Sequence, residues 1–369
     1  MSELYIGLMS GTSLDGVDGV LIDFANGPLK VLAHQHAPFD PPLRSQLLAL
    51  NQSGPDELHR SALAANALSG LYAQVVQSLL IDSQLQAEQI RAIGAHGQTV
   101  RHQPGLHDGI GYSLQIQNPS LLAELSGIAV VADWRSRDVA AGGQGAPLVP
   151  AFHQAVFGQP GQDLAVLNVG GIANLSVLSA QGDALGFDCG PGNVLMDLWC
   201  QRHTGQAYDD AGRWAASGHV QADLLTRWMQ EPFFHKPPPK STGRDLFHAE
   251  WLDSHLAAGP ALAPQDVQAS LCALTAESIA LAVSMHAPRS SRLMVCGGGA
   301  YNQCLMGMLQ ARLPQMAVVS TDNAGLPPSQ VEAAAFAWLA RQTCLGLPGS
   351  LPKATGAKGA RVLGGIYPA

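Results

Sequence analysis

Residues 4–24 read LYIGLMSGTSLDGVDGVLIDF, and this stretch decides the fold. The apolar runs at 4–9 and 19–24 predict two strands, and the small and polar residues between them predict a tight turn. Backbone N–H groups can approach phosphate oxygens only where no Cβ intrudes, which is why glycine is needed in such a turn. The stretch therefore predicts an α/β protein with a phosphate-binding turn after its first strand.

The same pattern recurs later in the chain. Residues 164–178 again predict two strands joined by a turn, here at Gly170-Gly171. Two more glycine turns follow apolar segments, and they read FDCGPGN at 187–193 and CGGGA at 296–300. Recurrence at the scale of a domain indicates internal duplication. This pattern resembles the actin–hexokinase superfamily, whose members have two related lobes that each begin with a β-hairpin containing a glycine turn. We therefore expect one nucleotide held between two lobes.

Composition excludes several classes of protein. A chain of 369 residues that is 47% hydrophobic and 13% charged is typical of a globular enzyme with two domains. The net charge of -8 argues against a nucleic-acid partner, because no basic stripe is available to neutralise phosphates. We expect no secretory signal and no membrane partner. The six cysteines are scattered without a C-x-x-C pair, so we expect reduced thiols in a cytoplasmic protein.

Helical stretches lie between the predicted strands, and in residues 58–80 the apolar residues have helical spacing. Helices are predicted at Leu58–Leu80, Gln268–Met285, Gln303–Leu313 and Val331–Gln342, the last with Ser329 as N-cap and Glu332 completing a capping box. The polar, glycine-rich segment Trp134–Pro150 predicts no helix and marks a lobe boundary. We expect an N-terminal lobe of residues 1–130 plus about 345–369 and a C-terminal lobe of residues 131–344 that contains the adenosine-site turn.

The first glycine turn offers two kinds of ligand. Its hydroxyls and backbone amides suit phosphate oxygens, and the carboxylates of Asp15 and Asp18 suit a hydrated Mg²⁺. A plain hairpin turn of small polar residues is the alternative. The turn is not a Walker A loop, since no Gly-Lys-Ser/Thr is present.

Asp188 is the candidate general base. It ends a predicted strand and precedes a glycine turn and a helix from about Asn193 to His203, which is where ligands bind in α/β proteins. A carboxylate with a reference pKa of about 3.9 is a weak base, so it suits a nucleophile that loses its proton late. Capping of the following helix is the alternative. Gly297-Gly298-Gly299 resembles an adenosine site, although tight strand–helix packing needs the same residues.

Candidate substrate ligands lie in the first half of the chain. Arg135 and Arg137 suit a carboxylate, because a guanidinium binds it bidentately, and local pairing to Asp133 and Asp138 is the alternative. His96 suits a hydrogen bond to a sugar or a purely structural role. The thirteen histidines show no metal-ligand pattern such as H-E-x-x-H.

Four segments closely resemble the anhydro-N-acetylmuramic acid kinase family, and the resemblance runs essentially end to end. They are MSGTSLDGVD at 9–18, GAHGQT at 94–99, NVGGIAN at 168–174 and FDCGPGN at 187–193. PPPKSTGR at 237–244 and VLGGIYP at 362–368 fit the same family. Cys189 departs from it, since the family commonly has threonine there, which puts in doubt a role of this side chain near phosphate but not of its backbone.

The resemblance implies a two-lobed, actin-like ATPase (ribonuclease H-like) fold with a central cleft. It implies an ATP-dependent kinase of peptidoglycan recycling that acts on 1,6-anhydro-N-acetylmuramic acid. Water opens the 1,6-anhydro ring and O6 is phosphorylated, giving N-acetylmuramic acid 6-phosphate and ADP. Asp188 matches the base that activates the water attacking C1. ATP and Mg²⁺ as cofactors, a cytoplasmic location and a homodimer are also implied.

The predicted site residues fall into three groups. The nucleotide group is Gly11, Thr12, Ser13, Leu14, Asp15, Gly16, Val17, Asp18, Gly170, Gly171, Gly190, Gly297, Gly298 and Gly299. The metal group is Asp15 and Asp18. The substrate group is His96, Arg135, Arg137 and Asn174.

Two other functions stay open on the sequence alone. An ATPase clamp resembling Hsp70 or actin keeps the glycine turns but needs no sugar pocket. A glycoside hydrolase using Asp188 and Asp133 leaves the phosphate-like turns unexplained. Release of ADP, measured with and without the anhydrosugar, separates the three.

Overall fold

In the computed structural model of the chain, residues 3–11, 13–25, 27, 29–243 and 246–369 are described. The chain divides into two compact units, the first made of Met1–Val156 and Gln330–Ala369 and the second of Phe157–Ser329. These limits differ from the sequence prediction, which cut after residue 130 and near residue 345. The first unit keeps residues 331–344 because that helix packs on its central strands.

The first unit begins with seven strands and five helices among the described residues. The strands are β1 (Leu4–Met9), β2 (Gly16–Asp23), β3 (Lys30–Pro38), β4 (Ile90–Ala95), β5 (Gln98–Pro104), β6 (Gly111–Ile116) and β7 (Val130–Ala132). The helices are α1 (Pro41–Ala49), α2 (Glu57–Ser83), α3 (Pro119–Ser126), α4 (Ser136–Ala140) and α5 (Val149–Phe157).

The second unit and the return of the chain to the first unit supply the remaining elements. The second unit contains β8 (Leu164–Val169), β9 (Ile172–Leu178), β10 (Ala184–Pro191), α6 (Val194–Thr204), α7 (Arg213–Ala216), α8 (Ala222–Trp228), α9 (Ala249–Ala257), α10 (Pro264–His286), β11 (Arg292–Cys296), α11 (Gln303–Arg312) and β12 (Ala317–Ser320). The return consists of α12 (Val331–Cys344), α13 (Pro352–Thr355) and β13 (Gly365–Tyr367).

The two units repeat one sheet topology. The main sheet of the first unit has the order β13-β7-β4-β1-β2-β3, and that of the second has the order β10-β9-β8-β11-β12. In each, the first three strands form antiparallel hairpins, and the next two run parallel to the first strand. This arrangement is the ribonuclease H-like one, and it confirms the predicted duplication.

Burial explains why these elements form. Every residue of β8 is buried, as expected for a central strand covered on both faces. Helix α12 is rich in buried alanines, so its backbone lies close to β1 and β4. Helix α10 is long and apolar enough to cross a membrane by length and composition, but 83% of its apolar window is buried, as expected for a core helix.

Three local predictions are corrected by the structure. The segment Trp134–Pro150 was expected to lack helix, but it contains α4 and the start of α5. The predicted N-cap Ser329 is not the N-cap of the helix, because a 3₁₀ turn over 328–330 delays the helix and makes Gln330 its N-cap. The glycine and proline content of residues 347–369 predicts an extended tail, but this segment contains α13, and β13 adds a strand beside β7.

Candidate active site

The turn after β8 and the turn after β10 are joined by backbone hydrogen bonds in the second unit. The N–H groups of Gly192 and Val194 donate to the carbonyl of Gly171, and that of Asn193 donates to the carbonyl of Gly170, at 2.8–3.1 Å. Hydrogen bonds between residues 21 to 23 positions apart therefore join two turns into one backbone surface at the start of α6.

Two glycines in this region are required by close approach. A Cβ on Gly192 would lie 2.3 Å from the carbonyl oxygen of Gly170. Gly297 has a φ of +77°, and a Cβ there would lie 2.4 Å from the Asn168 Oδ1 atom. Tight packing therefore explains both Gly192 and Gly297. A Cβ on the exposed Gly298 would lie 3.6 Å from Asn193 Nδ2, so the turn at 297–299 lies beside the other two turns.

Asp188 lies on β10 in a row of polar residues across the sheet. It pairs with Asn174 on β9, which in turn pairs with Asn168 on β8. Paired residues on neighbouring strands project from the same face of a sheet. The predicted base and the predicted substrate ligand Asn174 are therefore neighbours, and Asn168 joins them.

The loop after the three prolines fixes the orientation of Asp188. The N–H of Asp188 donates to the carbonyl of Lys240 at 3.1 Å, and the N–H of Thr242 donates to Asp188 Oδ2 at 2.9 Å. Lys240 is fixed in turn, because its ammonium donates to the carbonyls of Phe233 and Phe234. Asp188 makes no N-cap of α6, whose N-cap is Asn193, so the capping alternative is wrong.

Cys189, the departure from the family pattern, is buried in the core behind this site. Burial and the neighbouring Asp188 carboxylate raise the pKa of its thiol. A buried, protonated thiol makes no charged contact to phosphate, so any phosphate contact at this position comes from the backbone.

Side chains hold the turn after β1 in the first unit. The Ser10 hydroxyl donates to the carbonyl of Gly97 at 3.1 Å and lies 2.9 Å from the Tyr72 hydroxyl. Gln98 donates to the carbonyl of Gly11, and Arg44 donates to that of Leu14, both at 3.0 Å. Polar side chains therefore hold this turn in place.

Part of the predicted nucleotide group lies outside this turn. Gly16, Val17 and Asp18 belong to β2, and the Val17 side chain is fully buried. Gly11, Ser13, Leu14 and Asp15 form the turn itself, in which Leu14 is buried. Thr12 lies outside the described residues.

The two predicted metal ligands have different surroundings. The Asp15 carboxylate is exposed and accepts a 2.8 Å hydrogen bond from the Ser13 hydroxyl. Asp18 Oδ1 lies 3.3 Å from His34 Nε2 and 3.1 Å from His36 Nδ1 on β3. In the part of the chain that the structure describes, no group of three or more His, Cys, Asp or Glu side chains is arranged to hold a metal ion.

His96 and Arg135 are brought into contact. Arg135 Nη2 lies 3.0 Å from His96 Nε2, and His96 Nδ1 lies 3.0 Å from the carbonyl oxygen of Ser10. A nitrogen facing a carbonyl must carry the proton, so Nδ1 donates to Ser10 and Nε2 accepts from Arg135. Burial, and then the charge of Arg135, lower the pKa of His96 to about 3. The His96 imidazole is therefore neutral, and its hydrogen bond fixes the orientation of the Arg135 guanidinium.

The two predicted carboxylate ligands, Arg135 and Arg137, differ in their exposure to solvent. Arg137 is exposed on α4, while Arg135 is half-buried, and its Nη1 donates to the carbonyl of Gly145 at 2.7 Å. A planar guanidinium held in a fixed orientation is suited to bind a carboxylate bidentately. The geometry therefore favours Arg135 over Arg137 as a carboxylate ligand.

Sequence reasoning missed several residues of these sites. The sequence motifs contain Asn168, Asn193 and Thr242 but indicate no role for them. In the structure, Asn193 Nδ2 donates to the carbonyl of Val169, and the N–H of Thr242 orients Asp188. The symmetry of NVGGIAN, with an asparagine at each end of a glycine hairpin, is the signal that identifies Asn168 as the partner of Asn174.

Comparison with known proteins identifies the family. The family model for anhydro-N-acetylmuramic acid kinase matches residues 3–369. A curated relative of that name from Variovorax paradoxus is 60% identical, covering 100% of this chain and 99% of its own. Another, from Albidiferax ferrireducens, is 58% identical and covers 100% of both chains.

Solved structures are much more remote. A ROK family glucokinase from Streptomyces griseus aligns over 92% of this chain and 99% of its own, with a TM-score of 0.42 and 13% identity. The family match and the relatives extend over the glycine turns, Asp188 and the His96–Arg135 pair described above. The chain belongs to the anhydro-N-acetylmuramic acid kinase family.

Proposed function

We propose that this chain uses ATP and water to open the 1,6-anhydro ring of 1,6-anhydro-N-acetylmuramic acid and phosphorylates O6, with Asp188 as the general base. In this reaction Asp188 takes a proton from the water whose oxygen forms the new bond to C1. The C1–O6 bond breaks, and O6 forms a bond to the γ-phosphorus of ATP. The bond from that phosphorus to the bridging oxygen breaks and ADP leaves.

The fixed orientation of the Asp188 carboxylate supports this role. The half-buried carboxylate is held by the Thr242 N–H at one oxygen, beside the backbone surface of Gly170–Gly171 and Gly192. A base held in one orientation loses little entropy in reaching its proton, and positioned proton transfer contributes roughly 100-fold to 10,000-fold in rate.

We assign the substrate carboxylate to Arg135. Its guanidinium is aimed by the neutral His96 and by the carbonyl of Gly145. The lactyl group distinguishes a muramic sugar from a glucosamine by one carboxylate, and a guanidinium recognises a carboxylate bidentately. His96 and Asn174 remain candidate sugar ligands, and the exposed Arg137 is the weaker candidate for the carboxylate.

We assign the nucleotide to the glycine turns. Gly11–Asp15 supply donors for phosphate, Gly170, Gly171 and Gly190 supply backbone at the end of the second sheet, and Gly297–Gly299 supply a flat surface for adenosine. Asp15 fits Mg²⁺ best, because its carboxylate is exposed while Asp18 is engaged by two histidines. When bound, Mg²⁺ neutralises charge on the phosphates of ATP.

We also propose that the protein is cytoplasmic and forms a homodimer. The first proposal rests on the six scattered cysteines, which form no disulfide bond in the described part of the chain. The second rests on family resemblance.

Release of ADP tests the proposal directly. The full chain is incubated with MgATP, with and without 1,6-anhydro-N-acetylmuramic acid, and both ADP and the phosphorylated sugar are measured. We expect one ADP for each sugar phosphate and little ADP without sugar. ADP release that ignores the sugar would favour the ATPase clamp, and sugar opening without ADP would favour the hydrolase.

A further inference from the structure

A fully buried carboxylate lies one helical turn beyond Arg135. The Asp138 side chain is 0% exposed. Burying a carboxylate is costly unless hydrogen bonds compensate for the lost water. Asp138 Oδ2 accepts the N–H of Gly145 at 2.8 Å, and Oδ1 accepts the hydroxyl of Thr355 at 2.8 Å. Each oxygen of this buried carboxyl group therefore accepts a hydrogen bond from a neutral donor.

Those two donors come from distant parts of the chain. Gly145 belongs to the loop after α4, and Thr355 ends α13, 217 residues after Asp138. The same two segments are joined by backbone, because the N–H of Gln144 donates to the carbonyl of Thr355 at 2.7 Å and that of Lys358 donates to the carbonyl of Ala141 at 3.0 Å. The C-terminal segment thus holds the loop 141–145 in place.

The same loop holds the proposed carboxylate ligand. The carbonyl of Gly145 accepts Arg135 Nη1 at 2.7 Å, while the N–H of Gly145 donates to Asp138. A continuous set of hydrogen bonds therefore leads from Thr355 through Asp138 and Gly145 to Arg135, and on to His96. Each residue of this set fixes the position of the next, so a shift of Gly145 would move the Arg135 guanidinium.

We propose that Asp138, supported by Thr355, is a positioning residue that sets the aim of Arg135 and thereby the selectivity for a substrate bearing a carboxylate. This inference rests on the proposed function of Arg135. Asp138 makes no contact with substrate in this role and acts through the Gly145 carbonyl. The C-terminal segment therefore tunes the affinity for one functional group of the sugar.

The test compares two sugars in a set of variants. The substrates are 1,6-anhydro-N-acetylmuramic acid and its analogue without the lactyl group, 1,6-anhydro-N-acetylglucosamine. The variants are Asp138→Ala, which removes both hydrogen bonds, Thr355→Val, which removes one donor at nearly constant shape, and Asp138→Asn. Asparagine can accept from Gly145 through Oδ1 and donate to the Thr355 hydroxyl through Nδ2, so it should rescue the arrangement.

A matched control separates positioning from stability. The Thr343 hydroxyl also anchors the C-terminal segment, by donating to the carbonyl of Leu363 at 2.6 Å, but it has no hydrogen bond to the Arg135 set. Thr343→Val should lower the melting temperature without changing the preference between the two sugars. Thr355→Val serves in place of Asp138→Ala if the alanine variant does not fold.

We expect Asp138→Ala and Thr355→Val to raise KM for the muramic sugar by about 10-fold to 100-fold, with little change for the analogue, because small misplacements of a binding group have effects of this size. In the Arg135→Ala background, Thr355→Val should not raise KM for the muramic sugar further, since both changes act on the same interaction with the carboxylate. Equal losses on both sugars, or a full additional loss in the double variant, would overturn the inference.

The failure of the proposed function gives a different result. If the wild-type chain releases no sugar-dependent ADP, or if Arg135→Ala affects both sugars equally, the assigned reaction or the role of Arg135 is wrong, and the positioning role of Asp138 fails with it. If Arg135→Ala is selective and Thr355→Val is not, only the positioning role is wrong.

Discussion

The turn after β1 and the turn after β8 occupy the same place in two sheets of the same strand order, yet they are stabilised differently. Side chains hold the first, through Ser10, Gln98 and Arg44. Backbone N–H groups of 192–194 hold the second. The same sheet topology therefore allows two ways of stabilising the turn. The turn after β1 depends on the identity of polar side chains, and the turn after β8 depends on the absence of a Cβ.

The two turns also differ in the chemistry beside them. The second unit presents the carboxylate of Asp188, fixed by a backbone N–H, and the first presents the guanidinium of Arg135, fixed by neutral acceptors. We infer that the second unit carries the proton-transfer step and the first carries recognition of the substrate anion. Four predictions test this division.

The largest expected effect is on Asp188. Asp188→Asn keeps the shape and the acceptor for the Thr242 N–H but removes the base, so kcat should fall by roughly 100-fold to 10,000-fold while the binding of ATP and sugar stays nearly intact. Steady-state kinetics and calorimetric titration measure the two quantities. Near wild-type turnover would remove Asp188 from the chemical step.

Arg135 should show the opposite pattern. Arg135→Ala should raise KM for the muramic sugar by about 10-fold to 100-fold, the loss typical of a charge-assisted pair, with a smaller change for the analogue without the lactyl group. The exposed Arg137→Ala is the control and should change neither value much. If Arg137→Ala gave the selective loss instead, the assignment of the carboxylate would move to Arg137.

Gly192 tests the backbone-held turn. Gly192→Ala places a Cβ 2.3 Å from the Gly170 carbonyl, so the free energy of unfolding should fall by about 1–3 kcal/mol, as for other overpacked sites. Gly171→Ala is the matched control, because the nearest atom to its Cβ would be 3.9 Å away, at Val194. Urea unfolding measures both, and equal stability of the two variants would contradict the close packing.

The smallest effect is a pH dependence of the first unit. Burial is the main cause that lowers the pKa of His96 and His153 to about 3 and that of His102 to about 4, from an ordinary value of 6.5. Below about pH 6.5 the unfolded chain binds protons that the folded chain does not, so stability falls with pH down to the folded pKa values. Each histidine contributes up to about 1.4 kcal/mol per pH unit.

Amide hydrogen exchange at about pH 7 and about pH 5 measures this effect in each unit. We expect protection to fall more in the first unit, since among the described histidines of the second unit only the part-exposed His286 has a lowered pKa. His153→Gln should flatten the pH dependence of unfolding. An unchanged slope would show that His153 is protonated in the folded chain.

The sequence determined the elements whose signal is local. Glycine turns follow the apolar segments Leu4–Met9 and Leu164–Val169, and the long helices α2, α10 and α12 are rich in alanine, a strong helix former, so strands, helices and duplication followed from residues close together in the chain. The family resemblance added the reaction and Asp188, because the motifs that carry them are contiguous.

Only the tertiary structure decided which distant residues meet. The contact of Arg135 with His96, the bond from Thr242 to Asp188 and the burial of Asp138 against Thr355 each join residues 39 to 217 positions apart. Helix α4 escaped prediction for the same reason, since a five-residue helix has little stability of its own and is held by the contacts of Asp138. Local periodicity carries no information about hydrogen bonds that form when remote segments pack together.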